Sequence, residues 1–156
     1  MYDDAYITYL AHFLGTRDYF ECHEILEDRW KMEKPLDRDS IWVAFIQLAV
    51  SLYHQRRGND VGALRLIQKS KQKFYLHHMM IAKFGLNKKE LLQTLNLLEE
   101  NIVNKKPYQS ISLPFQDPHL IDLVKRKCGE WNCTFNSKSD LSNPYIVHKH
   151  ILRHSL

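Results

Sequence analysis

Asp18-Tyr-Phe-Glu-Cys-His-Glu-Ile-Leu-Glu-Asp-Arg-Trp-Lys31 is the stretch on which the fold turns. Asp18 precedes Glu21 by three residues, the spacing of a capping box at a helix start. Successive helical residues rotate by about 100°. On that wheel His23 falls in the middle of an apolar face made by Tyr19, Phe20, Leu26 and Trp30. Glu27 lies one turn further along the same side, and Glu24 borders it. Glu21, Ile25, Asp28 and Arg29 occupy the back. A buried carboxylate is costly unless it is paired, and the nearest partner for Glu27 is the His23 imidazole. Two readings follow, a His–Glu pair satisfied inside a core or a working site.

The next hydrophobic segment answers this helix. Ile41 to His54 is apolar nearly all round, the mark of a helix buried on most sides. Its polar exceptions, Gln47, Ser51 and His54, fall within about 60° of each other on the wheel. Asp39 or Ser40 is the expected N-cap, and Arg56-Arg57-Gly58-Asn59 forms a cationic helix end followed by a turn glycine. The connection is short, so the two helices are expected to pack antiparallel. Facing polar stripes would answer both burial problems at once. The candidate pocket is therefore His23, Glu24, Glu27, Trp30, Gln47, Ser51 and His54.

Outward from this pair the chain reads as helices joined by short turns. Asp3 to Leu14 is a first helix with Tyr6, Tyr9, Leu10 and Phe13 on its apolar face and Gly15 as its stop. Asp60 to about Phe84 is a long fourth helix with Leu64, Ile67, Phe74, Tyr75, His78 and Ala82 facing inward. Lys71 projects from that face and is expected to snorkel. Asn87 with Glu90 restarts a fifth helix to about Val103. Residues 105–116 hold two prolines and read as an extended crossing segment. Asp117-Pro118 opens a short helix to Cys128, stopped by Gly129. Asn143-Pro144 begins a further short helix over 144–153. The expectation is an all-α, single-domain bundle of about five main helices plus short C-terminal helices. Its bundle spans 1–129, and 130–156 is a C-terminal extension.

Composition narrows the function classes. The chain has 156 residues, 44% hydrophobic and 26% charged, which is globular rather than disordered. A formal charge of +4 permits an acidic partner without requiring one. No run reaches the roughly 18 apolar residues of a membrane span. Met1-Tyr2-Asp3-Asp4 lacks the basic and apolar regions of a signal peptide. Cys22, Cys128 and Cys133 are odd in number, as expected of free thiols in a reducing cytoplasm. The expected location is cytoplasmic.

Three chemistries are weighed. His23-Glu-x-x-Glu27 is not the His-Glu-x-x-His of zinc proteases, whose second histidine is a ligand. Borrowing His54 would give a tentative divalent-metal set of His23, Glu27 and His54, with Glu24 as base of a metal-dependent hydrolase. Cys128-x4-Cys133 with His148 and His150 is a looser zinc pattern. Lys69, Lys71, Lys73, Lys88 and Lys89 would give weak nucleic-acid binding, but their interleaving with polar helix formers favours a solvated face. No Gly-rich phosphate loop, nucleophile elbow or dinucleotide fingerprint occurs. A binding or interaction module around the polar pocket is the leading expectation. Enzymatic activity and the partner stay open, as does a homo-oligomer. Glu27→Ala is expected to destabilise by roughly 1–3 kcal/mol if the carboxylate is buried.

Tyr19-Phe20-x-x-His23-Glu24-x-x-Glu27-x-x-Trp30, followed by Phe45-Ile46-Gln47-Leu48-Ala49-x-x-x-Tyr53-His54-x-Arg56-Arg57-Gly58-Asn59-x-x-Gly62-Ala63, resembles the bacterial and archaeal family called domain of unknown function 309. The resemblance covers about residues 5–75. It implies a small all-α bundle and no assigned activity. The family's characteristic polar positions fall on His23, Glu24, Glu27, Gln47 and His54.

Overall fold

The computed structural model describes residues 1–149. Seven α-helices occur among them: α1 (Asp4–Ala11), α2 (Tyr19–Trp30), α3 (Ile41–Arg56), α4 (Asp60–Leu76), α5 (Lys88–Val103), α6 (Pro118–Glu130) and α7 (Pro144–Val147). Of the 144–153 helix read from the sequence, α7 covers Pro144–Val147 and is capped at His148; residues 150–153 lie outside the described residues. No strand forms among the described residues, only an isolated bridge between Leu86 and Phe115. No described helix is long and apolar enough to cross a membrane.

Side-chain caps start these helices. Asp18 accepts from the Glu21 N–H, Ser40 from Trp42, Asn59 from Gly62, Asn87 from Glu90, and Asp117 from His119. Each satisfies a backbone donor that the first turn leaves without an intrahelical acceptor.

α3 lies at the centre, between α2 and α4; α5 packs on α4, and α1 packs against α2 and α6. Crosswise serines tie α3 to α4. Ser51 Oγ donates to the Ala63 carbonyl and Ser70 Oγ donates to the Ala44 carbonyl, both at 2.7 Å. These pairs fix an antiparallel register, and the alanines at the contact let the two backbones approach. At the core, the Phe45 ring meets Tyr6, Tyr9, Phe74 and Phe84, mostly edge to face. The hydroxyls that enter this aromatic core are satisfied: Tyr9 donates to the Phe45 carbonyl and Tyr6 to the Phe84 carbonyl.

Three boundaries differ from the sequence reading. α1 does not stop at Gly15. It runs into a π-helical turn, His12–Thr16, and Arg17 takes the left-handed conformation at φ 56°. Gly15 is there for its size: a Cβ would lie 2.7 Å from Cys133 Sγ and 2.8 Å from Cys128 Sγ. α4 ends at Leu76, and a 3-10 segment, His78–Phe84, follows. Tyr75, placed inward by simple periodicity, is exposed. α6 passes through Gly129 to Glu130, and Asn132 supplies the left-handed turn. Lys71 does not snorkel free but pairs with Glu99 at 2.6 Å.

His12, in the π-helical turn, gives the fold a pH dependence. Its Nδ1 lies 2.9 Å from Thr16 Oγ1 and its ring centroid 4.4 Å from that of Trp131. Burial lowers its pKa from 6.5; the Asp18 and Glu21 charges oppose this and Lys149 adds to it. The folded-state pKa is thus below the unfolded one. The contribution to stability is complete above about pH 6.5 and is lost as pH falls through the folded value. A His12→Gln variant is expected to show a flatter fall in denaturation midpoint below pH 6.5 than the parent. Parallel curves would show that other groups carry the acid limb.

Candidate functional site

α2 and α3 run antiparallel. Phe20 stacks toward Tyr53 at one end, with ring centroids 6.2 Å apart, and Glu33 accepts from the Trp42 indole at the other. Between them Phe20 and His23 of α2 and Val50, Tyr53 and His54 of α3 line a cavity of about 120 Å³. Its lining is mostly apolar, and His23 is one of its two imidazoles.

His23 is held from its own helix. Its Nε2 lies 2.6 Å from Glu27 Oε2, and Glu27 Oε1 takes Lys31 at 3.0 Å. In the neutral ring Nε2–H donates to that carboxylate, which leaves Nδ1 as an acceptor. Nδ1 is buried and has no hydrogen-bond partner among the described residues. Glu24 Oε1 stands 3.7 Å from it, beyond hydrogen-bond length. Gln47 shares the Val50–His54 face of α3, and its Oε1 is also buried without a partner among the described residues. His54 Nδ1 lies 3.3 Å from Asn59 Nδ2.

Two of the sequence-derived candidates point elsewhere. Ser51 faces α4, not α2, because its hydroxyl is taken by the Ala63 carbonyl. Trp30 sits at the end of α2 and donates to the Asp37 carbonyl at 2.7 Å, pinning the α2–α3 connection. Glu27 is not the buried carboxylate expected, since a third of its side chain is exposed. Water screens a pair this open, so Glu27→Ala is now expected to lower stability by only about 0.5–1 kcal/mol. Urea denaturation checks this, and a loss above about 2 kcal/mol would mean the pair is dry.

His23 and Glu27 stand together, and His54 shares the cavity wall with His23. No group of three His, Cys, Asp or Glu side chains among the described residues is placed to hold a metal ion. Cys128 and Cys133 both abut Gly15; His150 of that looser pattern lies outside the described residues. The lysines do not form a free row, because Lys71 is paired with Glu99.

Sequence reasoning missed a second polar centre, where two arginines are buried. Arg17 is 2% exposed; its Nε donates to the Ser137 carbonyl at 2.7 Å and its Nη1 to the Ile111 carbonyl at 2.5 Å. Arg56 donates to the carbonyls of Arg17 and Ile146 and to Ser139 Oγ, and its guanidinium lies 4.5 Å from the Tyr19 ring centroid. The Arg56-Arg57 pair reads locally as a helix-end charge effect. No local signal distinguishes that role from burial against residues far along the chain.

The chain is 44% identical over 153 residues to the uncharacterized protein YpuF of Bacillus subtilis (strain 168), an alignment covering 98% of this chain and 88% of that one. No solved structure matches. The model of the family described as domain of unknown function (DUF309) matches residues 6–66, the segment from α1 through α2 and α3 into α4. With the motif region matched and near full-length similarity beyond it, the chain belongs to the DUF309 family.

Proposed function

We propose that this protein is a binding module whose α2–α3 cleft receives an aliphatic amine, such as a lysine side chain of a partner. The observation that carries the reading is a buried acceptor on the cavity wall, His23 Nδ1, which has no hydrogen-bond partner among the described residues. Buried polar atoms are almost always hydrogen-bonded, and a donor arriving in the cleft would satisfy this one. The cavity's volume of about 120 Å³ is a little below that of engineered cavities known to admit benzene. It suits a four-carbon stem, with Phe20, Val50 and Tyr53 around the methylenes. Glu24 and Glu27, at 3.7 and 2.6 Å from the two His23 ring nitrogens, favour a cationic head. The metal-dependent hydrolase using His23, Glu27 and His54 gains no comparable support, because no three-ligand set is assembled among the described residues.

Titration with n-butylammonium, followed by NMR of the His23 ring, tests this. The expected result is saturable shifts, with a dissociation constant on the order of 1 mM, about −4 kcal/mol. His23→Ala is expected to remove the response. Shifts that never saturate, or that persist in that variant, would end the proposal.

A further inference from the structure

A second cavity, of about 350 Å³, lies between the crossing segment and the turn that follows α6. Tyr108, Gln109, Ser110, Lys138, Ser139 and Leu141 line it. It shares no residue with the α2–α3 cleft. Its volume falls at the lower end of the range for small-molecule sites.

Its wall is a hydroxyl network. Tyr108 Oη lies 2.5 Å from Tyr19 Oη and 2.7 Å from Ser139 Oγ. The Ser139 backbone N–H donates to Ser110 Oγ at 2.9 Å. Ser110's own hydroxyl proton is poorly served. Its acceptors within the network, Tyr108 Oη and Ser139 Oγ, are 3.2 and 3.4 Å away, longer than ordinary O–H···O bonds. Ser110 therefore has a donor to offer the cavity.

Two cations stand at this wall, Arg56 behind it and Lys138 in its lining. Arg56 is 8% exposed, stands behind Ser139 and donates to its hydroxyl at 3.2 Å. Its Nε has no partner among the described residues. No carboxylate among the described residues pairs with Arg56 or Arg17. Lys138 adds an exposed ammonium at the mouth. The neighbouring carboxylate, Asp140, does not line the cavity; its Oδ1 accepts from the backbone N–H and the hydroxyl of Ser142. A buried guanidinium without a counter-ion raises the potential in the adjacent low-dielectric space and favours an anion there.

We propose that this cavity binds the phosphate group of a small phosphorylated molecule, held by the Ser110 hydroxyl and Lys138, with Arg56 acting behind Ser139 as a positioning charge. The volume leaves room for a substituent beyond the phosphate, lying against Gln109 and Leu141.

Titration with inorganic phosphate at constant ionic strength, read by amide NMR, tests the site directly. The expected result is saturable shifts of Ser110 and Ser139 while His23 stays still. Ser110→Ala and Lys138→Ala, at positions outside the buried core, are each expected to weaken binding by about tenfold, the effect of one hydrogen bond to a charged group. Unchanged circular dichroism shows that these variants fold. Acetate and chloride are expected to produce no saturable response. Equal responses to all three anions would overturn the proposal as non-specific screening. So would the absence of saturation with phosphate, or parent-like affinity in both variants.

Discussion

Arg17→Ala is expected to lower the free energy of unfolding by about 3–5 kcal/mol, since each hydrogen bond from a charged donor contributes about 1.5–3 kcal/mol. The two bonds tie the start of α2 to the carbonyls of Ser137 and Ile111, partners more than ninety residues away in sequence. Removing the side chain strands both carbonyls in a buried site and leaves a hollow. Arg17→Lys keeps the charge but not the fork that reaches two acceptors, so it is expected to recover less than half of the loss. Urea midpoints of the three proteins decide the matter. Equal midpoints for Arg17→Ala and the parent would show that the long-range ties carry no stability. Limited proteolysis gives an independent readout, with new cleavage expected in the crossing segment and after α6.

Phe45→Ala is expected to be comparably severe, at about 3–5 kcal/mol, the range for emptying a buried aromatic site. Phe45 is 1% exposed, and its ring lies 4.9 Å from Phe74, 5.2 Å from Phe84, 5.3 Å from Tyr6 and 5.7 Å from Tyr9 between centroids. It thus joins α1, α3, α4 and the 3-10 segment at one point. Rings braced this way cannot all collapse into the space, so the void persists. Benzene is then expected to raise the melting temperature of Phe45→Ala and leave the parent unchanged. A variant within about 1 kcal/mol of the parent would mean that the surrounding rings repack.

The helices were legible where the information is local. Caps at Asp18, Asn87, Asp117 and Asn143 announce themselves by residue type and spacing, and each accepts the expected backbone donor. The three boundaries that differ have separate causes: Gly15 matters for its missing side chain, Gly85 does take the left-handed turn but ends a 3-10 segment rather than α4, and the left-handed turn after α6 falls on Asn132 instead of Gly129. Within the candidate site, the wheel located the polar residues of α3 but not their direction. A sector of about 60° spans the gap between two neighbouring helices, so Ser51 turned to α4 while Val50 and His54 line the cavity toward α2. Burial of Glu27 was overestimated because a wheel treats a whole face as equally dry, whereas its edge is washed by solvent. The arginine centre was not legible at all. All but one of its acceptors are backbone carbonyls, of Arg17, Ile111, Ser137 and Ile146, which carry no residue-type signal.

The contact of two thiols with Gly15 makes the chain its own clock for local opening. Burial, and behind it the Cys133 thiol, push the Cys128 pKa up to about 12. Burial also raises Cys22, whose thiol donates to the Tyr9 carbonyl. Thiolate is the reactive species, so neither cysteine reacts with an alkylating reagent at neutral pH while its surroundings stay closed. Cys133, half-buried, is modified first. Cys128 waits for α6 to lift from the π-helical turn, and Cys22 waits for α1 and α2 to part. Three modification rates from a single mass-spectrometric time course therefore rank the opening free energies of three layers of the molecule, with no label introduced and no residue changed.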